Sequence, residues 1–161
     1  MYKKIHQMMQ LLATLLVLLI VLLAVLNFFS NPNRKSILGY RGYTVISGSM
    51  LPALQVGDYV VVKEVPFQSL ENEDMITFKS NHIIVTHRVV YRTAAGALIT
   101  RGDANAIDDL LEVTTQEYIG KVQWRIPYLG RLMIWMQNPL VFSLVLALIA
   151  IRFVFLWLIK I

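Results

Sequence analysis

Ser49 stands in Val45-Ile46-Ser47-Gly48-Ser49-Met50-Leu51-Pro52, where an apolar β-branched run meets a glycine between two serines and then a proline. Valine and isoleucine favour a strand, and Gly48 permits a sharp backbone path and close approach by a substrate. Pro52 fixes its own φ and biases Leu51 away from the helical region. A hydroxyl at such a strand-end turn is presented to the outside. It becomes a nucleophile when a base removes its proton as it attacks. Without a base, the same eight residues are a strand followed by an ordinary Ser/Gly/Pro turn.

Candidate bases are His82, His87, Lys63 and Lys79. His87 lies in Val85-Thr86-His87-Arg88-Val89-Val90, inside the best strand signal of the chain, which would hold the imidazole rigidly. Histidine accepts a proton near neutral pH without large tuning, whereas a lysine must first be buried to lose its own. The bland alternative for His87 is a half-buried sheet residue bonded to a neighbour. A neutral imidazole that turns one nitrogen toward a serine must donate the other to an acceptor, usually a carboxylate. Arg101-Gly102-Asp103-Ala104-Asn105-Ala106-Ile107-Asp108-Asp109 concentrates such groups. For Asp103 the competing role is turn chemistry; for Asp108 and Asp109 it is a solvated loop or a helix cap.

The elements that must position these residues divide the 161-residue chain in three. Met8 to Phe29 is almost unbroken apolar sequence behind a basic start, residues 1–7 with Lys3 and Lys4. As a helix, 8–29 reaches ~33 Å, enough for the hydrocarbon core of a bilayer. Phe28-Phe29-Ser30 lacks the small residues of a cleavage site, so this reads as an uncleaved transmembrane anchor. Residues 30–38, with Asn31-Pro32-Asn33-Arg34-Lys35, read as a linker. Residues 131–161 form a second hydrophobic segment, with a span from Pro139 to about Ile159. Arg152 inside it must snorkel to an interface or pair within a helix bundle. Leu132 to Met136 either begins that span early or lies in the interface. Lysines and arginines flank both ends of the first span, so charge does not choose an orientation.

Between the spans, residues 39–130 carry strand signals and frequent turns. Strands are expected over Gly39 to Ile46, Tyr59 to Val65, Met75 to Lys79, Ile83 to Arg92, Ala97 to Arg101 and Tyr118 to Ile126. Turns are expected at Gln55-Val56-Gly57-Asp58, Ser80-Asn81, Ala94-Ala95-Gly96 and Gly102-Asp103-Ala104-Asn105. This indicates a mainly β protein: a small antiparallel β domain between an N-terminal and a C-terminal transmembrane helix. A composition 57% hydrophobic, with mean hydropathy +0.59, fits a chain partly in lipid. The net charge of +5 is scattered and suits anionic headgroups better than nucleic acid. No cysteine is present, and His6, His82 and His87 lack metal-ligand spacing, so neither a metal nor a cofactor is expected. His82 and His87, five apart on one expected strand, would point to opposite faces.

Three motifs in this order and spacing, Ser47-Gly48-Ser49-Met50 with Pro52, His87-Arg88-Val89 and Gly102 to Asp109, resemble the type I signal peptidases. They are most similar to the branch with a histidine base, found in the endoplasmic reticulum, archaea and some Gram-positive bacteria. The main bacterial branch has lysine where this chain has His87. The resemblance covers about residues 43 to 130. It implies Ser49 as nucleophile, His87 as general base, Asp109 as the aspartate of the relay and Asp103 as a second aspartate needed nearby. It also implies that the Ser47 hydroxyl joins the Ser49 amide in binding the oxyanion. Ala104 departs from the asparagine that relatives often carry, and Leu51 from their Glu or Thr. The implied activity is removal of signal peptides from exported pre-proteins after small residues, at Ala-x-Ala-like sites. The implied partners are signal-bearing pre-proteins, membrane lipid and the secretion machinery. The implied location is the cell membrane, with the catalytic domain on the extracytoplasmic face. The alternative from another class is a non-catalytic, membrane-anchored β domain that binds a partner, its motifs being turns and core.

Overall fold

The computed structural model describes residues 2–29, 36 and 38–159. Asn31-Pro32-Asn33-Arg34-Lys35, read as a linker, lies outside the described residues. The chain divides into two compact units, one built from the helices at its two ends and one, Phe29–Leu132, built on a sheet.

In the sheet unit, strands β1 (Tyr40–Thr44), β2 (Tyr59–Lys63), β3 (Met75–Ser80), β4 (Ile83–Arg92), β5 (Leu98–Arg101) and β6 (Tyr118–Ile126) follow the β-branched and aromatic runs. They form one sheet in the order β1-β2-β6-β3-β4-β5, and every neighbouring pair is antiparallel. β1 is shorter than expected. Val45 and Ile46 fall outside it, although Val45 still exchanges backbone bonds with Asp58 and Gly57, which ties the path toward Ser49 to the turn before β2. The turn between β3 and β4 is Asn81-His82, with φ of 46° and 68°. Two left-handed residues in a two-residue loop match the right-handed strand twist. His82 is thus a turn residue and not a strand residue, and the expected pairing of His82 and His87 on opposite strand faces does not arise. At the middle of the same hairpin the hydroxyls of Thr77 and Thr86, directly cross-strand, lie 2.8 Å apart.

Burial is concentrated in two apolar clusters. One gathers Phe67, Leu70, Ile76, Phe78, Val89 and Leu98 under β3, β4 and β5. The other gathers Met50, Leu54, Val60, Val62 and Val122, so the turn that follows Ser49 is pinned from below by its own Met50 and Leu54. From the side it is pinned by Arg125 on β6, whose Nη1 donates to the Ala53 carbonyl at 2.9 Å while Nε meets Asp58 Oδ2 at 2.6 Å. Asp58 is 1% exposed, and its carboxylate also accepts the Gln55 N–H at 2.8 Å.

The helical unit contains α1 (Tyr2–Phe29) and α3 (Pro139–Ile159), preceded by α2 (Leu129–Gln137). α1 begins at Tyr2, ahead of the expected Met8, because helix propensity does not stop where the apolar run does. Among the described residues no single helix is long and apolar enough to cross a membrane; Leu129–Gln137 with Pro139–Phe153, bent by 84°, passes that test as a pair. Arg152 takes the second of its two expected roles. Its Nη2 donates to the Thr14 hydroxyl at 2.9 Å and to the Gln10 carbonyl at 3.2 Å, both on α1.

Asp58→Ala strands Arg125 and frees the Gln55 amide, which breaks a charge pair with one fully buried member. Because the Arg125 left behind is partly solvated, the expected cost is that of the lost bonds, about 2 kcal/mol, read as a lowered urea midpoint at unchanged slope.

Candidate active site

The loop from Val45 to Gln55, strand β4 and the loop after β5 converge on one imidazole. His87 is 8% exposed on β4, opposite Ile76 of β3, with the Phe78 ring edge-on at 6.3 Å between centroids. Its Nε2 lies 3.1 Å from Ser49 Oγ, and its Nδ1 lies 2.6 Å from Asp109 Oδ2. A carboxylate can only accept. Asp109 therefore fixes the tautomer with the proton on Nδ1, leaving the Nε2 lone pair to accept from the Ser49 hydroxyl. That is an arrangement able to take a proton from a serine as it attacks. Ser47 Oγ is exposed beside it, 3.4 Å from Ser49 Oγ.

Asp103 does not touch the imidazole. Its two oxygens receive Arg88 Nε at 2.8 Å and Nη2 at 2.7 Å, and Arg88 Nη1 donates to the Glu73 carbonyl at 2.7 Å. The bonds that this clamp gives the Asp103 carboxylate raise the Arg88 pKa above arginine's ordinary value. Neighbouring strand residues face opposite ways, so His87 and Arg88 reach different aspartates. Asp108 turns to Arg101, with Nη1 3.3 Å from Oδ1.

The clamp holds down the Gly102–Asn105 turn, and that turn holds the backbone at Ser49. Ala104 N–H donates to the Ser49 carbonyl at 2.8 Å. A Cβ on Gly102 would come within 2.6 Å of that same oxygen, so only glycine permits the approach. Gly102 is thus the glycine that lets two segments of the chain's own backbone meet at the site. Gly48 has an ordinary φ, and an added Cβ would press only on the Leu51 side chain, at 3.2 Å. The departure at Ala104 costs nothing here, because its contribution is a backbone amide. Thr100, given no role by any motif, is fully buried and donates its hydroxyl to Asp109 Oδ2 at 2.6 Å. Arg88 stood inside a motif only as the neighbour of His87, and no sequence signal marks its bonds to Asp103.

A cleft of about 420 Å3 runs up to Ser49 and His87, lined on one side by Thr44 to Ser47 and on the other by Ile83 to Thr86. β1 is an edge strand, and β5 pairs with β4 only from Arg88 onward, so among the described residues neither side of the cleft is capped by a further strand. Tyr43 also lines it, and burial raises its phenol pKa above the ordinary value. Among the described residues no group of three metal-ligating side chains is placed to hold a metal ion.

No protein-family model matches the chain. It is 34% identical over 97 residues to signal peptidase I W of Bacillus subtilis (strain 168), across 57% of this chain and 51% of that protein. It is 32% identical over 124 residues to the signal peptidase complex catalytic subunit SEC11 of Leptosphaeria maculans, across 68% of this chain and 72% of that protein. To the SEC11 subunit of Pyricularia oryzae it is 34% identical over 107 residues, across 58% of this chain and 62% of the relative. The chain spans about half the length of the bacterial relative and more than two thirds of the first fungal one. On that extent of identity, the chain belongs to the type I signal peptidases, a family of peptidases.

Proposed function

We propose that this chain is a membrane-bound serine endopeptidase that removes N-terminal signal peptides from exported pre-proteins. One observation carries the reading: Ser49 Oγ, His87 and Asp109 form a continuous hydrogen-bonded chain at the head of an open cleft.

In the proposed reaction the Ser49 oxygen forms a bond to the scissile carbonyl carbon while His87 Nε2 takes its proton. Asp109 meets the imidazolium charge as it develops. The carbonyl oxygen becomes an anion and accepts from the Ser49 amide and the Ser47 hydroxyl, donors whose individual loss costs ~3 kcal/mol in comparable sites. Collapse breaks the C–N bond, and Nε2 returns the proton to the leaving amine. Water then attacks the acyl-enzyme with the same base and frees Ser49.

The substrate fits as an added strand between Thr44–Ser47 and Ile83–Thr86, whose outer edges have no strand neighbours among the described residues. The preference for small residues next to the scissile bond is carried over from the family resemblance. Residues 8–29 and 139–159 are the proposed anchors, holding the site close to the bilayer where a signal's apolar helix ends. The extracytoplasmic face, lipid and the secretion machinery complete the proposal.

The test is incubation of the detergent-solubilised chain with a signal-bearing precursor, followed by sequencing of the new N-terminus. Wild type is expected to release a mature product cut after a small residue. Ser49→Ala is expected to fall to background, a loss on the order of 10⁶-fold in kcat for a triad acting as a unit. Full cleavage by Ser49→Ala removes the nucleophile assignment; no cleavage by wild type leaves the partner-binding alternative.

The two aspartates separate by what each one holds. Asp109→Asn is expected to lower kcat by about 10⁴-fold with little change in melting temperature, because it reverses the imidazole tautomer. Asp103→Asn, which weakens the Arg88 clamp, is expected to destabilise the fold by about 2 kcal/mol and to lower kcat less. Equal effects of the two on both quantities would contradict the division of labour.

A further inference from the structure

We propose that Thr100 is a positioning residue of the site, its hydroxyl setting the Asp109 carboxylate against His87; this rests on the serine-peptidase reading above. Thr100 is the penultimate residue of β5 and is 0% exposed. In the β4–β5 register it sits opposite Val89, two residues from His87 and therefore on the face that His87 occupies.

Two bonds latch it to Asp109. The Asp109 N–H donates to the Thr100 carbonyl at 2.8 Å, and the Thr100 hydroxyl donates to Asp109 Oδ2 at 2.6 Å. The first closes the base of the loop from Arg101 to Asp108 and delivers residue 109 to the sheet. The second chooses where the carboxylate points.

Oδ2 is the same oxygen that accepts His87 Nδ1 at 2.6 Å. One oxygen thus takes two short bonds, from a hydroxyl held by a strand and from an imidazole held by the adjacent strand. With Thr100 absent, the carboxylate could rotate about its last two bonds and present either oxygen, or neither, to the imidazole. With Thr100 present, the backbone latch and the hydroxyl leave one orientation. Aspartate orients the base, and threonine orients the aspartate.

The hydroxyl is tested with a matched pair. Thr100→Ser and Thr100→Ala both lose the γ-methyl, so their difference reports the oxygen alone. Both are assayed on the signal-bearing precursor beside wild type and Ser49→Ala, below the lower of their two melting midpoints. Thr100→Ser is expected to stay close to wild type. Thr100→Ala is expected to lose about tenfold in kcat relative to Thr100→Ser with KM unchanged, the scale of one hydrogen bond to a charged group. Equal kcat values for Ser and Ala, or a difference that falls on KM, overturn the role of Thr100 while leaving an active peptidase. A wild type no faster than Ser49→Ala removes the peptidase reading and this inference with it.

Discussion

The bond between His87 Nδ1 and Asp109 Oδ2 is the constraint on which the site's geometry depends. It joins a residue in the middle of a strand to one at the end of a loop, 22 positions later. A free loop would lose considerable conformational entropy in making that contact, so the contact is only as good as the loop's other attachments. Three of them are present. Thr100 ties its two ends together, Arg88 grips Asp103 from β4, and Ala104 bonds the Ser49 carbonyl. The last two also mean that the loop bringing the carboxylate to the imidazole fixes the backbone of the serine. Relative placement of residues 49, 87 and 109 is therefore one mechanical problem with one solution, and not three separate ones.

The sheet supplies what the loops cannot. Its order puts β1 at one edge, while among the described residues the first half of β4 has no strand partner on the side away from β3. Thr44–Ser47 and Ile83–Thr86 nevertheless line a single cleft. Unpaired edges are ordinarily a hazard, because any extended chain can add to them. Here they flank Ser49, and an extended chain is the proposed substrate. Apolar residues below, Met50 and Leu54 among them, stop the cleft from collapsing or deepening, since both are packed into the second core cluster.

Much of this was legible in the residues. Ile83–Arg92 and Tyr118–Ile126 match their expected bounds because long β-branched and aromatic runs leave few competing conformations. β1 ended early because its last apolar residues serve the turn before β2 and not a full ladder. His82 was misplaced since a histidine at positive φ looks, by type alone, like any strand residue beside Ile83. The resemblance separates Asp109 from Asp103, but the residues alone leave the two undivided for a geometric reason. His87 and Arg88 are adjacent, each needs an anion, and only the cross-strand register decides which aspartate rises on which face. Thr100 was invisible for the same cause, because a threonine in a strand carries no mark of what lies across from it.

The carboxylate at 109 also suits the kind of base proposed at 87. An ammonium held against that oxygen would be stabilised in its charged form by the opposite charge, and a charged lysine cannot accept a proton. An imidazole escapes the difficulty because it has two nitrogens. One donates to the carboxylate while the other stays an acceptor, so the interaction that anchors the ring leaves its basic atom free. Strand β4 directs Nε2 toward Ser49 and Nδ1 toward Asp109, across a ring buried against Phe78. The aspartate and the histidine therefore specify each other. A lysine at this position would need a site in which the carboxylate was absent or turned away, and the Thr100 and backbone latches hold it in place.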